Sequence, residues 1–251
     1  MGIVYVFVNQ KGGVGKTTSA INLGAYLAES GKRVLLVDFD SQANLSSGIG
    51  IGSAKPGVYQ LLSGDATVDE VTRPTAIPGL SVIPAGIDLS GAAVELVKQE
   101  DRNFFLRKAL DPVRDRYDYI LIDCPPSLGI LTLNGLVAAD GALIPMQCEY
   151  FAMEGLALLL QTISRIQKNL NPQLAIGGIF FTMYDQRTKL AQAVVTQVSA
   201  YFQDKVFATI IPRNIRLSEA PSHGLAISHY APQSPGAKAY KSLADEVILR
   251  G

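Results

Sequence analysis

Between residues 3 and 29 an apolar run, a glycine-rich turn and a helix follow one another without a linker, and this succession constrains the fold more than any other feature of the chain. Residues 3–8 are apolar throughout, as expected of a strand covered on both faces of a parallel sheet. Residues 17–29 carry Ala20, Leu23 and Leu27 at i, i+3 and i+7, one face of a helix, and Gly31 closes it. Between them lies Gln10-Lys11-Gly12-Gly13-Val14-Gly15-Lys16-Thr17-Thr18. Its glycines let successive backbone N–H groups converge on an anion, and the following helix N-terminus adds a favourable dipole. Lys16 is placed to reach the β- and γ-phosphates of a nucleotide, and the Thr17 hydroxyl to coordinate Mg²⁺. The usual pattern G-x-x-x-x-G-K-[ST] is met except at its first position, where Gln10 stands.

The alternation continues. Strands are expected at 33–37, 80–84, 119–122, 141–145, 174–181 and 206–211, and helices at 101–116, 131–139, 151–169, 190–202 and 235–249. Residues 41–79 are rich in Gly, Ser and Pro and read as loops with short helices. This order predicts one α/β domain over 1–251, a mostly parallel twisted sheet with helices on both faces. A chain that is 48% hydrophobic and 18% charged has ample material for such a core, which excludes a disordered chain. Lys plus Arg and Asp plus Glu are both 22, so a polyanionic partner would need a local basic patch. The two cysteines and the lack of a basic leader ahead of the first strand point to a reduced, cytoplasmic protein, and no stretch approaches a membrane span.

In open α/β sheets ligands gather at the carboxyl ends of the strands. Asn9, Asp38 and Asp123 all fall at such ends and are expected to meet at one edge. Asp38 and Asp40 close the second strand two residues apart, where side chains point the same way, so as the strand ends both can face the phosphates. Cys124, beside Asp123, reads as a small core residue. His223 and His229 lack ligand spacing and read as structural or surface residues.

Lys-Gly-Gly-Val-Gly-Lys-Thr-Thr at 11–18 resembles the deviant Walker A loop of the ParA/MinD family of P-loop ATPases, and the resemblance extends from Ile3 to about Leu249. It implies a P-loop NTPase fold, with ATP and Mg²⁺ as ligands. It makes Lys11 the extra lysine that reaches across a dimer interface to the partner subunit's ATP. Asp40 would position the attacking water, Asp38 would be an outer-sphere Mg²⁺ or switch group, and Asp123, ending a Walker B-like strand, would hold Mg²⁺ through water. Pro212 and Asn214 would lie near the adenine. Where the family often reads Asp-Pro-Gln-Gly-Asn, this chain has Asp40-Ser41-Gln42-Ala43-Asn44, which bears on loop stiffness. Cys124 and Cys148 do not match the cluster cysteines of the related nitrogenase iron protein.

Residues 211–224 resemble the corresponding stretch of the chromosomal-partition branch. That resemblance implies an ATP-dependent homodimer, associated with the nucleoid, that binds DNA non-specifically. Arg216 is the first candidate contact, then Arg213 and Arg187, with Lys189, Lys238 and Lys241 as helpers. A ParB-like or other cargo-adaptor protein would stimulate hydrolysis. The residues at 244–251 lack the basic amphipathic helix of membrane-cycling MinD relatives, and no helix-turn-helix precedes residue 3. A MinD-like regulator and a metabolic P-loop ligase of the dethiobiotin-synthetase kind are the competing readings.

Overall fold

The computed structural model describes residues 1–52, 54–96 and 99–250. Its strands are β1 (Ile3–Phe7), β2 (Val34–Asp38), β3 (Arg73–Pro74), β4 (Leu80–Ile83), β5 (Tyr119–Asp123), β6 (Gly141–Gln147) and β7 (Ala175–Thr182). Among the described residues they form one seven-stranded sheet in the order β3-β4-β2-β5-β1-β6-β7. Every neighbouring pair is parallel except the short β3–β4 pair, which is antiparallel.

Helices fill the crossovers. They are α1 (Lys16–Glu29), α2 (Asn44–Gly48), α3 (Val58–Ser63), α4 (Val68–Val71), α5 (Leu89–Leu96) and α6 (Phe105–Leu110). Then follow α7 (Ile130–Ala138), α8 (Ala152–Asn169), α9 (Lys189–Phe202), α10 (Ile215–Glu219), α11 (Ile227–Tyr230) and α12 (Pro235–Arg250). Among the described residues no helix is long and apolar enough to cross a membrane.

The unbroken apolar strands follow from two-sided burial. Val4, Val6, Ile120 and Ile122 join the core under α6–α9, while Tyr5, Phe7, Tyr119 and Leu121 join the core under α1 and α12. Successive side chains leave a strand on opposite faces, so with a helical layer on each side the strand interiors are apolar on both faces and polar residues gather at the strand ends. The α1 layer sits close: a Cβ at Gly24 would lie 2.7 Å from Leu36 Cδ2, inside contact distance, so any larger residue there would push the buried Leu36 side chain aside.

Two expectations are corrected. Residues 206–211 do not form a strand; single bridges pair Val206 with Ile179 and Pro212 with Tyr184. The segment lies along β7, with Phe207 N donating to Ile179 O and Ile211 N to Phe181 O, each at 2.8 Å. Between those bonds the N–H groups of Ala208 and Thr209 turn to the Glu246 carboxylate of α12, both at 3.0 Å, and the ladder breaks. The helix expected at 101–116 begins only at Phe105 and tightens into a 3₁₀ segment at Asp111–Arg116, with Pro112 in its first turn. Helix α5 lies in a stretch that had no assigned element.

Candidate nucleotide-binding site

Strands β1, β5 and β2 are neighbours, and their registers align Phe7 with Asp123 and Asp123 with Asp38. Three strand ends therefore open on one edge, and the residues just past them are what a ligand meets.

The loop leaving β1 turns at Gly13 (φ 72°) and Gly15 (φ 88°), a left-handed conformation that side chains with a Cβ resist. Asn9 anchors its start, donating from Nδ2 to Pro145 O at 2.8 Å and accepting Lys11 N at 3.0 Å on Oδ1. Lys16, at the start of α1, is 6% exposed. Its ammonium lies inside the loop, donating to Asn9 O at 3.2 Å and Lys11 O at 3.3 Å. Burial lowers its pKa, opposed by the charge of Asp123. Gly12, Thr17 and Thr18 complete the loop and first helical turn.

Asp123 is 1% exposed, and neither carboxylate oxygen has a hydrogen-bond partner of normal geometry among the described residues. Burial, then the neighbouring Asp38, push its pKa up to about 8, with Thr17 and Lys16 pulling the other way. A buried carboxylate without donors is costly, and a divalent cation is the partner that relieves it. The Thr17 hydroxyl alongside supplies a second oxygen of the hard type Mg²⁺ takes, so these residues fit Mg²⁺.

Asp38 is placed differently. β2 ends at this residue, and its carboxylate turns to α2: Oδ2 accepts Ser46 N at 2.8 Å and Ser46 Oγ at 2.6 Å, and Oδ1 accepts Asp40 N at 3.3 Å. Burial still raises it to about 6. Asp40 stands in the turn beyond the strand, half-buried, with Oδ1 accepting Gln42 N at 3.1 Å. β2 ends at Asp38, as expected, and Asp40 follows in the turn, so the two carboxylates take different partners. Asp38 clamps the loop that carries Asp40.

Beside the loop a cavity of about 290 Å³ is lined by Gly15, Thr18, Thr182, Met183, Pro212 and Asn214, among others. Pro212 and Asn214 therefore share one cavity with the phosphate loop. Asn214 also caps α10, accepting Arg216 N at 2.9 Å.

Lys11 points away from its own loop and pairs with the Glu149 carboxylate, both groups about half exposed. Arg213, Arg216 and Arg187 are exposed, as are Lys189, Lys238 and Lys241. The Tyr184–Pro212 bridge sets the Arg187 loop beside Arg213. Arg187 is paired with Asp185 at 2.6 Å and Arg216 with Glu219 at 2.8 Å. Cys124 is buried with its thiol pushed well up by burial. His223 stacks on Tyr230, and His229 Nδ1 lies 3.5 Å from Glu29.

Ser46, Gln147, Glu149 and Thr182 touch this site and were not singled out in the sequence. Gln147 and Thr182 end β6 and β7, so the rule that ligands meet strand carboxyl ends was the signal for them. Ser46 gave none, lying in a stretch that reads as loop.

A loop shaped for polyphosphate at the edge of a parallel sheet, with a buried lysine inside it and an unpartnered carboxylate behind it, defines the class of P-loop nucleotide hydrolases. A family model described as an AAA domain matches residues 2–176. The chain is 65% identical over 250 residues to the chromosome-partitioning ATPase Soj of Treponema pallidum (strain Nichols), covering 100% of this chain and 98% of that one. It is 53% identical to the sporulation initiation inhibitor protein Soj of Bacillus subtilis (strain 168), covering 100% of both. Cobyrinic acid a,c-diamide synthase from Mycobacterium smegmatis, solved with bound ADP and magnesium, superimposes with a TM-score of 0.86 at 39% identity, covering 99% of this chain and 94% of that one. The chain belongs to the ParA/Soj family of partition ATPases. It is an ATPase, and its ligands are ATP and Mg²⁺.

Proposed function

We propose that this partition ATPase is switched by dimerisation. ATP joins two subunits, the dimer holds DNA non-specifically, and a ParB-like or other cargo-adaptor protein stimulates hydrolysis and release. The observation that carries the reading is the placement of Lys11. Its ammonium lies outside its own phosphate loop, on a half-exposed ion pair. It also lines a groove with Phe151 and Leu158. Tyr150, Phe151 and Leu158 are 75%, 68% and 53% exposed, an apolar patch of the kind that marks a protein interface. A second subunit on that patch would cover the apolar groups and bring Lys11 to the neighbour's phosphates, where a cation stabilises the charge of phosphoryl transfer.

Within one subunit Lys16 holds the β- and γ-phosphates, and Pro212 and Asn214 bound the base. Thr17 and Asp123 hold Mg²⁺, which neutralises charge on the phosphate oxygens when bound. Asp40, carried on the loop that Asp38 and Ser46 fix, orients the attacking water. Arg216, Arg213 and Arg187 meet DNA phosphates with Lys189, Lys238 and Lys241 at their flanks, contacts that carry no sequence information. Arg187 and Arg216 pair with Asp185 and Glu219 but keep their guanidinium groups 83% and 55% exposed, so a DNA phosphate can reach them. The family resemblance and the chromosome-partitioning relatives support this reading over membrane cycling. So does α12, whose Tyr240, Leu243, Ala244 and Val247 are buried in the core and not offered to a lipid surface.

DNA binding measured with ATP, with ADP and without nucleotide tests it. Binding only with ATP is expected, and equal binding in all three states would end the switch. Arg216→Glu should abolish DNA binding while ATP-dependent dimerisation, read by light scattering, persists; loss of both would show that Arg216 serves the dimer instead.

A further inference from the structure

In a trans peptide the carbonyl of one residue and the N–H of the next point in opposite directions. What holds the phosphate loop's carbonyls therefore decides where its N–H groups aim. Lys16 takes Asn9 O and Lys11 O, and Ser19 N donates to Gly15 O, all within the loop and its own helix. Two carbonyls are held from outside. Thr182 Oγ1, at the end of β7, donates to Val14 O at 2.8 Å, which sends the Gly15 N–H the other way. Gln147 Nε2, at the end of β6, donates to Gly13 O at 3.2 Å and does the same for the Val14 N–H.

The Thr182 bond is sealed: Thr182 is 2% exposed and Val14 1%, so water cannot replace it. The loop also needs such a pin. Gly13 and Gly15 take positive φ, but glycine holds any one conformation least firmly. Thr182 lines the base cavity too, and Gln147 Nε2 reaches the thioether of Met183 in the same wall at 2.7 Å. One hydrogen-bonded unit thus joins the wall of the base cavity to the back of the phosphate loop.

The geometry points to Thr182 as a positioning residue for polyphosphate recognition: its hydroxyl pins the Val14 carbonyl so that the Gly15 N–H is aimed at the phosphates before nucleotide arrives. Gln147 does the same, more weakly, for the Val14 N–H. The pin removes an ordering cost that nucleotide binding would otherwise carry. This rests on the assignment of residues 10–18 as the phosphate site.

The test is calorimetric binding of ATP and of ADP in Mg²⁺. Thr182→Val keeps the volume and the methyl group but deletes the donor, while Thr182→Ser keeps the donor and deletes the methyl. With Val14 O left buried and unpaired, Thr182→Val is expected to weaken ATP and ADP alike by about tenfold. KM for ATP should rise in parallel with kcat near wild type, a split that a loss of overall stability would not produce. Thr182→Ser should bind within about twofold of wild type, since the hydrogen bond remains. Thr182→Val binding like wild type, or Thr182→Ser losing as much as Thr182→Val, overturns the proposal. Lys16→Ala separates the two levels. If it binds ATP normally, the phosphate site itself is misplaced and the proposal falls with it; if it loses ATP while Thr182→Val does not, only the role of Thr182 falls. Should Thr182→Val fail to fold, Gln147→Met at a half-buried position should weaken ATP and ADP together by about threefold, and its failure to do so refutes the pin.

Discussion

Replacing Asp123 by Asn should make the nucleotide-free protein more stable at pH 8 while removing its stabilisation by Mg²⁺-ATP. Asp123 is 1% exposed, and among the described residues neither of its oxygens has a hydrogen bond of normal geometry, although the Thr17 hydroxyl lies alongside. Burial and then Asp38 move its pKa from 3.8 to about 8. An acid whose folded pKa lies above its unfolded one binds more protons when folded, throughout the interval between the two values. Stability therefore falls as pH rises through that interval and levels off above it. Each unit of pH in the interval removes about 1.4 kcal/mol, so the loss at pH 7.5 is about 5 kcal/mol. Asparagine abolishes this charge but leaves an amide in the same dry place, which returns about 1–3 kcal/mol of cost. The net gain is about 2–4 kcal/mol, and at roughly 2–4 °C per kcal/mol for a chain of this size the melting temperature should rise by about 5–15 °C. Scanning calorimetry of both proteins in EDTA at pH 4.5 and pH 8 measures it. At pH 4.5 the wild-type side chain carries little charge penalty, so the gain should vanish. A variant that melts no higher than wild type at pH 8, or higher by the same margin at both pH values, would refute the reasoning.

Asp40→Ala should lower ATP turnover at least about tenfold, as expected when the group orienting the water is lost, while an ATP-dependent dimer persists on size-exclusion chromatography; normal hydrolysis would remove Asp40 from the mechanism. Gly178→Ala would place a Cβ 2.1 Å from the ring of Phe207, a side chain only 3% exposed. Overpacking there should cost about 1–3 kcal/mol and lower the melting temperature by several degrees, with no cost meaning that the 206–211 segment moves freely against β7.

What the sequence made legible was local. The strand, loop and first helix occupy one continuous stretch, and each carries its own periodicity or glycine signal, so the site's centre could be read directly. Asp123 could be placed at a strand end, but not its isolation, which depends on which strands flank it. The behaviour of Asp38 was hidden for the same reason. Its partner Ser46 sits on a five-residue helix inside a Gly/Ser/Pro-rich stretch, where no pattern marks a buried residue. The apolar pattern of 206–211 did report burial against β7. It could not report that the neighbouring N–H groups go to Glu246, since that carboxylate is 38 residues from Ala208 in the chain. Gln147 and Thr182 were single polar residues at strand ends, visible only once the sheet order put those ends beside the loop.

That broken ladder has a consequence for how copies of this chain can gather. The β7 edge is occupied by an irregular segment whose amides are taken by Glu246. The opposite edge carries β3, two residues long and half proline. Among the described residues, neither edge offers a long run of free main-chain donors and acceptors, the template on which sheets extend from molecule to molecule and on into fibrils. Copies of this chain are thereby kept from growing strand by strand into one another. Any contact between copies is left to side chains, whose complementarity is specific where main-chain pairing is not.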